Sequence, residues 1–568
     1  MPPASPHPAG ASQRRQTLCL VDRYGGGEAR GAGQAKKDED MTLAEGSSGA
    51  SVGLSARDAA ADSGARLALG FVVLLVFLRF VLAATADLAE DEAYYWLWST
   101  HLAAGYYDHP PMIAYWIRAG TAIFGQTAFG VRFVALLSSL AGSYLLYRAS
   151  LSLFRDAGAA LLAVIWLNAT LLCNAAAIVA TPDTPLAFFA ILTLFTLAKL
   201  IETGKGAWWY GVGAALGLAF MSKYTAVLLL PGVFVWMAVT TEGRRWFVRP
   251  EPYIGALIAA ALVAPVFWWN YAHDWASFAK QAQHSVKDKP ANALASVGEL
   301  LGGQAGLATP LIFGFCAFGS IFALLRGWKR REARWLLLGG ACAPVFLFFL
   351  FHAASQKIQP NWPGFIYPAA ILAAVHGYLA VSKERPAPQW IAASFRLTPW
   401  LGIAFTLAAF LQLGLGVLPI EAKKDPTAHL RGWAKLGSDI AMLAEAQGAA
   451  AILTANYATT GELAFYGGGE RPALQTGERI RYANLPAPDE ARLKSGPALL
   501  VVRKGGDVSV PAAFYENSRL VTTVTREAGF NPRDAYDVHL LSGYRGELFE
   551  QGKSYSCGSR VNWGTACK

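Results

Sequence analysis

Apolar stretches near the length of a membrane crossing constrain this chain more than any other feature. They run at 67–84, 128–147, 157–176, 185–201, 208–221, 225–239, 253–269, 306–325, 335–351, 362–380 and 399–418. A helix needs about 20 apolar residues to cross the hydrocarbon core. Spans are helical because no water is there to satisfy exposed backbone groups. The expected fold is therefore mainly α: a polytopic membrane protein with about 11 transmembrane helices, the short fifth and sixth leaving the count open by about one or two. Composition agrees: 15% of the 568 residues are charged and 54% hydrophobic, against about 25% charged in soluble domains.

The formal charge is +10, a balance sometimes found in nucleic-acid binders. Here Lys and Arg cluster in short loops between apolar spans, at 148–156, 202–205, 244–249, 326–334 and 383–396. That is the positive-inside pattern, and there is no aromatic-interleaved basic stripe to suggest RNA. With those loops and the N-terminus inside, the opposite side receives 87–127, 178–182, 222–224, 271–304, 352–361 and the tail from Pro419.

Three segments divide the chain. Residues 1–65 are rich in Gly, Ala, Ser and charge and read as a disordered arm, with Met41 as a second candidate start. Residues 66–420 carry the spans. Residues 421–568 alternate a helical stretch (433–447) with β-branched runs at 451–453, 498–502 and 520–524, and turns at Gly467-Gly468-Gly469 and Pro486. They read as a small α/β domain outside the cytoplasm. No Gly-rich phosphate loop opens a helix there. Cys173, Cys316 and Cys342 lie in apolar spans and read as core residues. Cys557 and Cys567 flank a polar stretch, and both a disulfide and two free thiols stand open.

The first outer loop concentrates the chemistry. Glu90-Asp91-Glu92-Ala93-Tyr94-Tyr95-Trp96 follows the first span, and Tyr106-Tyr107-Asp108-His109-Pro110-Pro111 precedes the second. Residues 94–102 and 110–124 have helical apolar spacing and many aromatics, which favour the headgroup layer. They are expected to be two helices lying in the interface plane. A carboxylate such as Asp91 or Glu92 at that boundary can act as a general base; acids also cap helix N-termini. Asp108 has the same two readings. Asp91, Asp108 and His109 together could hold a divalent ion. Asp183 stands at the outer entrance of the fourth span, where it could also be a cap. Lys223 and Lys357 lie on the side opposite the basic loops. They either snorkel or meet an anion such as a lipid phosphate.

Taken in order and spacing, these motifs resemble the GT-C superfamily of integral membrane glycosyltransferases. The similar branch holds protein O-mannosyltransferases, the lipid A aminoarabinose transferase and the rhizobial galacturonosyltransferases. The matching segments are Asp91-Glu92-Ala93-Tyr94-Tyr95-Trp96, Gly105-Tyr106-Tyr107-Asp108-His109-Pro110-Pro111, Phe124-Gly125 with Arg132, Thr181-Pro182-Asp183, Ser222-Lys223-Tyr224 and Asn361-Trp362-Pro363. The resemblance spans about 65–418 and continues more weakly into the tail. It implies a polyprenyl-phosphate sugar donor, a lipid-linked or lipopolysaccharide acceptor, and a multi-pass protein of the bacterial inner membrane with its active site and tail in the periplasm. Asp91, Glu92, Asp108 and His109 are then the expected catalytic residues. Tyr94, Tyr107, Arg132, Asp183, Lys223, Lys357 and Asn361 are the expected substrate contacts. No cofactor is implied with certainty, a divalent metal being the one candidate. One departure is His109, where the aminoarabinose branch carries Lys beside its Pro-Pro pair; a shared donor with that enzyme does not follow. Other readings are protein O-glycosylation and, outside the enzymes, a lipid or glycan transporter. A transporter would place its charges at the bilayer midplane, whereas these lie at the outer boundary.

Overall fold

The computed structural model describes residues 64–287, 292–467, 469, 471–528 and 532–549. From Ala65 onward they form one compact unit. The N-terminal arm, the Met41 start and the Cys557–Cys567 pair lie outside the described residues.

The described part opens on helix α1 (Gly64–Thr85). It continues through α2 (Glu90–Thr100), α3 (Met112–Phe124), α4 (Ala128–Phe154), α5 (Ala157–Ala169), α6 (Leu171–Ile178), α7 (Asp183–Thr203) and α8 (Trp208–Ser222). Each expected apolar stretch falls on helix, but not every one is a full crossing. Among the described residues eight helices are long and apolar enough, and counting two bent pairs as single spans makes ten. Ten lies within the margin of about one or two allowed around eleven; the span left over is α8, the short fifth, whose 15 residues rise only about 22 Å against a core of about 30 Å.

The bend of 63° between α5 and α6 has a chemical cause. Thr170 stops α5 and caps α6, its hydroxyl accepting from Cys173 N at 3.1 Å. The break frees the Asn168 and Thr170 carbonyls, which take Asn174 Nδ2 at 2.8 and 2.6 Å. Arg79 of α1, buried within its span, donates to Asn174 Oδ1 at 2.7 Å and Asn168 Oδ1 at 3.0 Å. An intramembrane cation is tolerated where such acceptors surround it. Elsewhere small residues let helices touch. A Cβ on Gly213 of α8 would lie 1.9 Å from the Gly255 carbonyl of helix Glu251–Ala272, the close approach that drives packing where no hydrophobic effect operates.

The basic loops meet at one end. Arg326 pairs with Glu332 at 3.1 Å and with Glu384 at 3.4 Å, and Arg334 lies over Phe154. Arg245 approaches Gly204. The carboxylates of the first loop gather at the other end, with the tail.

In the tail, helix Trp433–Ala446 leads into a five-stranded sheet of order β2-β1-β3-β5-β4. Strands β1 (Ala451–Thr454), β2 (Ala473–Gln475) and β3 (Ala498–Arg503) run parallel. Strands β4 (Tyr515–Glu527) and β5 (Pro532–Tyr544) complete it antiparallel. The three strands expected from β-branched runs are β1, β3 and part of β4. β2 is too short, and β5 too polar, to announce itself. β1 and β3 are buried almost throughout, hence their unbroken apolar runs. The sheet's helix Tyr457–Tyr466 lies directly on α2: a Cβ on Gly461 would sit 2.7 Å from Tyr94 N. Tyr466 OH takes the Leu88 amide at 2.8 Å, and Asp87 takes the Trp433 amide at 2.8 Å.

Candidate active site

The three acids that open α2 take three different directions because successive residues step about 100° around a helix. Glu92, at the third helical position, turns inward. Its Oε1 accepts from Arg132 Nε (2.9 Å) and Ala180 N (2.8 Å). Its Oε2 accepts from Arg132 Nη2 (2.6 Å) and Ala89 N (2.9 Å), the helix cap. Glu90 faces His429 at 3.9 Å. Asp91 opens into a cavity of about 470 Å³ with Tyr94 and Tyr95 of the same helix face. The cap expected of the acids is thus supplied by Glu92, leaving Asp91 unspent.

Asp108 is not a cap either: Pro111 occupies that position of α3 without side-chain help. The Asp108 carboxylate instead accepts from Tyr94 OH at 2.8 Å and from Arg481 Nη1 at 2.6 Å. Arg481 comes from the tail and is also held by Glu478 at 2.7 Å. Gln281 donates to the Asp108 carbonyl at 2.7 Å. His109 lines the same cavity beside the ring of Tyr95.

Asp183, first residue of α7, gives one oxygen to Lys223 Nζ at 2.7 Å and the other to Asn361 Nδ2 at 2.9 Å. Lys223 also lies over the Trp362 ring, 5.5 Å from its centroid. All four residues line the cavity. Thr181, Asp183 and Asn361 also line a second, apolar cavity of about 300 Å³, walled by Gly142, Leu172, Phe188, Ile191, Leu307 and Phe365. The polar chamber and the apolar groove therefore share a boundary.

Tyr457 of the tail donates to Asp91 Oδ1 at 3.2 Å. Asp91 has surface on the cavity, yet protein crowds it closely. Burial pushes its carboxyl up to about 6, the Tyr457 hydrogen bond opposing and the charges of Glu90, Asp108 and Glu92 adding to the rise. A carboxylate tuned that way is poised to exchange a proton near neutral pH.

Of the residues singled out in the sequence, Asp91, Tyr94, Asp108, His109, Asp183, Lys223 and Asn361 converge on this one cavity. The others do not line it. Glu92 and Arg132 form a pair with side chains fully removed from solvent, and Arg132 also donates to the Ala83, Ala86 and Asp87 carbonyls. Tyr107 lies beneath Lys280 and Arg481. Lys357 is out on the surface, its side chain 74% exposed and 3.9 Å from Glu299, so it stands apart from Lys223. Among the described residues no three His, Cys, Asp or Glu side chains converge as a metal site. With Asp108 committed to Arg481, Asp91, Asp108 and His109 do not fit as a ligand trio.

Residues 108–269 match the family described as dolichyl-phosphate-mannose-protein mannosyltransferase. The lipid A galacturonosyltransferase RgtD of Rhizobium johnstonii is 28% identical over 319 residues, 55% of this chain and 65% of that one. The undecaprenyl phosphate-alpha-4-amino-4-deoxy-L-arabinose arabinosyl transferase 1 of Sodalis glossinidius is 25% identical over 399 residues, 63% of this chain and 67% of that one. The match thus spans about two thirds of the length of either relative. Among solved structures, ArnT of Cupriavidus metallidurans bound to undecaprenyl phosphate superposes with a TM-score of 0.57 at 16% identity. It covers 83% of this chain and 97% of that one. The chain has a GT-C fold.

Within that fold, sequence reasoning missed Arg481, Tyr457, Lys280, Gln359 and Trp362 as cavity residues. Trp362, like Tyr95, Thr181 and Pro182, lines the cavity from within one of the matching motifs. Arg481 and Tyr457 carried no local signal: each is hundreds of residues from its partner in a tail read only as a separate module.

Proposed function

We propose that this protein transfers a sugar from a polyprenyl-phosphate donor to lipid A or lipopolysaccharide core at the periplasmic face of the inner membrane, with inversion at the anomeric carbon. One observation carries the reading: Asp91 faces a polar cavity that shares Asp183, Asn361 and Thr181 with an apolar groove. A lipid phosphate needs that pairing, hydrocarbon wall on one side and charge on the other. The named substrates of the relatives, lipid A and undecaprenyl-phosphate sugars, fit the same arrangement. Basic loops at the far end support this orientation, since Lys and Arg favour the cytoplasmic side.

The acceptor hydroxyl gives its proton to Asp91. Its oxygen attacks the anomeric carbon from the face opposite the phosphate, forming the new glycosidic bond. The bond from that carbon to the phosphate oxygen breaks, and polyprenyl phosphate leaves with the electron pair. Lys223, fixed by Asp183, stands where the leaving phosphate meets the groove. A well-placed donor at a developing anion contributes about 3 kcal/mol. Asp108 and Arg481 hold the donor's sugar side of the chamber in shape. Lys357, 74% exposed and away from the chamber, is not assigned a part in this scheme.

The family description, a protein mannosyltransferase, favours a protein acceptor as the second reading. Mass profiles of lipid A, core oligosaccharide and glycoproteins, compared among wild type, deletion and Asp91→Asn, separate the two. One glycan mass absent in both mutants identifies acceptor and sugar class. Unchanged profiles with the protein expressed would sink the transferase reading.

A further inference from the structure

The named sugars of the relatives have opposite charges: galacturonate carries a carboxylate, 4-amino-4-deoxyarabinose an amine. We propose that Lys280 and Arg481 form a subsite for the carboxylate of a hexuronate, which makes the donor a polyprenyl-phosphate hexuronate; this rests on the transferase reading above.

The argument begins with charge pairing inside the chamber. Asp183 spends both oxygens on Lys223 and Asn361. Asp108 is matched by Arg481. Asp91 is the remaining acid, and it is the base of the reaction. Among the described residues, Lys280 is a cavity cation with no carboxylate partner. It lies 5.4 Å from the centroid of the Tyr107 ring, and the Arg481 guanidinium lies 5.6 Å from the same centroid. Both cations therefore approach the same aromatic ring and line the same cavity. Arg481 uses Nη1 on Asp108 and Nε on Glu478, which leaves the Nη2 edge of the fork for a ligand. The neighbouring Gln281 ties the helix that carries Lys280, Ala276–Lys287, to the Asp108 carbonyl, which fixes the backbone from which Lys280 reaches.

Position separates this pair from the phosphate. The groove meets the chamber at Thr181, Asp183 and Asn361, beside Lys223. Lys280 and Arg481 are anchored instead to the first loop and the tail, through Tyr107 and Asp108. A sugar whose phosphate sits at Lys223 extends toward them. A carboxylate there gains charge-assisted hydrogen bonds. An ammonium meets the uncompensated charge of Lys280 and the donor edge of Arg481, a built-in discrimination against aminoarabinose.

The test uses the full chain in detergent with lipid A and three synthetic polyprenyl-phosphate donors: galacturonate, galactose and 4-amino-4-deoxyarabinose. The expected wild-type order puts galacturonate first. Lys280→Gln lowers the galacturonate-to-galactose ratio of kcat/KM by about tenfold to a hundredfold, mainly through KM, and Lys280→Arg restores most of it. Equal use of galactose or aminoarabinose by wild type overturns the subsite alone. So does a Lys280→Gln variant that slows all donors equally and binds sugar-free polyprenyl phosphate correspondingly more weakly, since Lys280 would then hold the phosphate. No transfer from any donor, either to lipid A or to lipopolysaccharide core in a parallel arm, overturns the transferase reading and the subsite with it.

Discussion

Neighbouring carboxylates in α2 should fail in opposite ways when neutralised. Glu92 receives four hydrogen bonds, two on each oxygen, from Arg132 Nε and Nη2 and from the Ala180 and Ala89 amides. No acceptor direction remains for a substrate proton. Glu92→Gln keeps one oxygen and turns the other into an NH2 group, so two of the four donors face a donor. Each unsatisfied buried donor costs about 1–3 kcal/mol. The Arg132 guanidinium is also left buried without its counter-charge, and removing one member of such a pair costs about 3–5 kcal/mol. The two estimates describe the same loss and agree. Asp91→Asn removes a charge that burial disfavours and keeps an oxygen for Tyr457 OH. It should leave the melting temperature essentially unchanged while abolishing transfer. Tryptophan-fluorescence melting of the full chain in detergent, read beside turnover of the folded fraction, makes the comparison. If Glu92→Gln melts like wild type yet loses turnover as completely as Asp91→Asn, the division of labour argued here is wrong.

The remaining expectations follow from the same geometry. With the Asp91 carboxyl near 6, kcat/KM should fall as pH drops below that value, since about a tenth of the base stays ionised one unit lower; Tyr457→Phe removes a hydrogen bond to the charged form and should move that limb to higher pH, and an unmoved limb would assign it to another group. Glu462 is buried among Glu90, Asp87 and Glu92, so burial first and those charges second hold its carboxyl well above 4.5. The unfolded chain then loses this proton at lower pH than the folded one, so stability declines as pH rises above about 4.5 toward the folded value; Glu462→Gln should flatten that slope and raise the melting temperature at pH 8, and a destabilised variant would show that the carboxylate is charged and partnered. Lys223→Met should cut kcat by about a hundredfold, the loss typical of a removed anion donor, whereas Lys357→Ala, out on the surface beside Glu299, should change it less than twofold; a large effect of Lys357→Ala would mean that its loop closes on the substrate.

How much of this was legible in the sequence depends on the distance over which each contact acts. Apolar runs report helices because the period is local, and each expected span is helical. What they could not report is how a helix meets the bilayer: α8 reads like a crossing but is too short to be a complete one, and residues 157–176 conceal a bend at Thr170 whose polar groups are met by Arg79, on another helix. The first-loop motif identified the right neighbourhood, since Asp91, Tyr94, Asp108 and His109 do line one cavity. It could not assign roles within Glu90-Asp91-Glu92. That choice is made by Arg132, 40 residues away from Glu92 in sequence, which claims one acid and leaves the next to the cavity.

The tail's α/β character was legible from its β-branched runs; its contacts with the first loop were not. By local pattern alone, residues 421–568 read as a small α/β domain. In the fold, the helix Tyr457–Tyr466 presses on the backbone of α2 at Gly461 and Tyr94, and two tail side chains reach the acids directly. Asp108 lies 373 residues before Arg481, so nothing in either segment's pattern could announce the pair. The charge of Asp108 is therefore balanced only when the tail is docked, and the proton affinity of Asp91 is set partly by a tail hydroxyl. A chamber completed in this way is assembled by two parts of the chain with different folding rules, membrane helices packed by small residues and a sheet packed by the hydrophobic effect. A lesion far out in the sheet that undocks the tail should thus mimic an active-site mutation, leaving the membrane helices intact and the base mistuned.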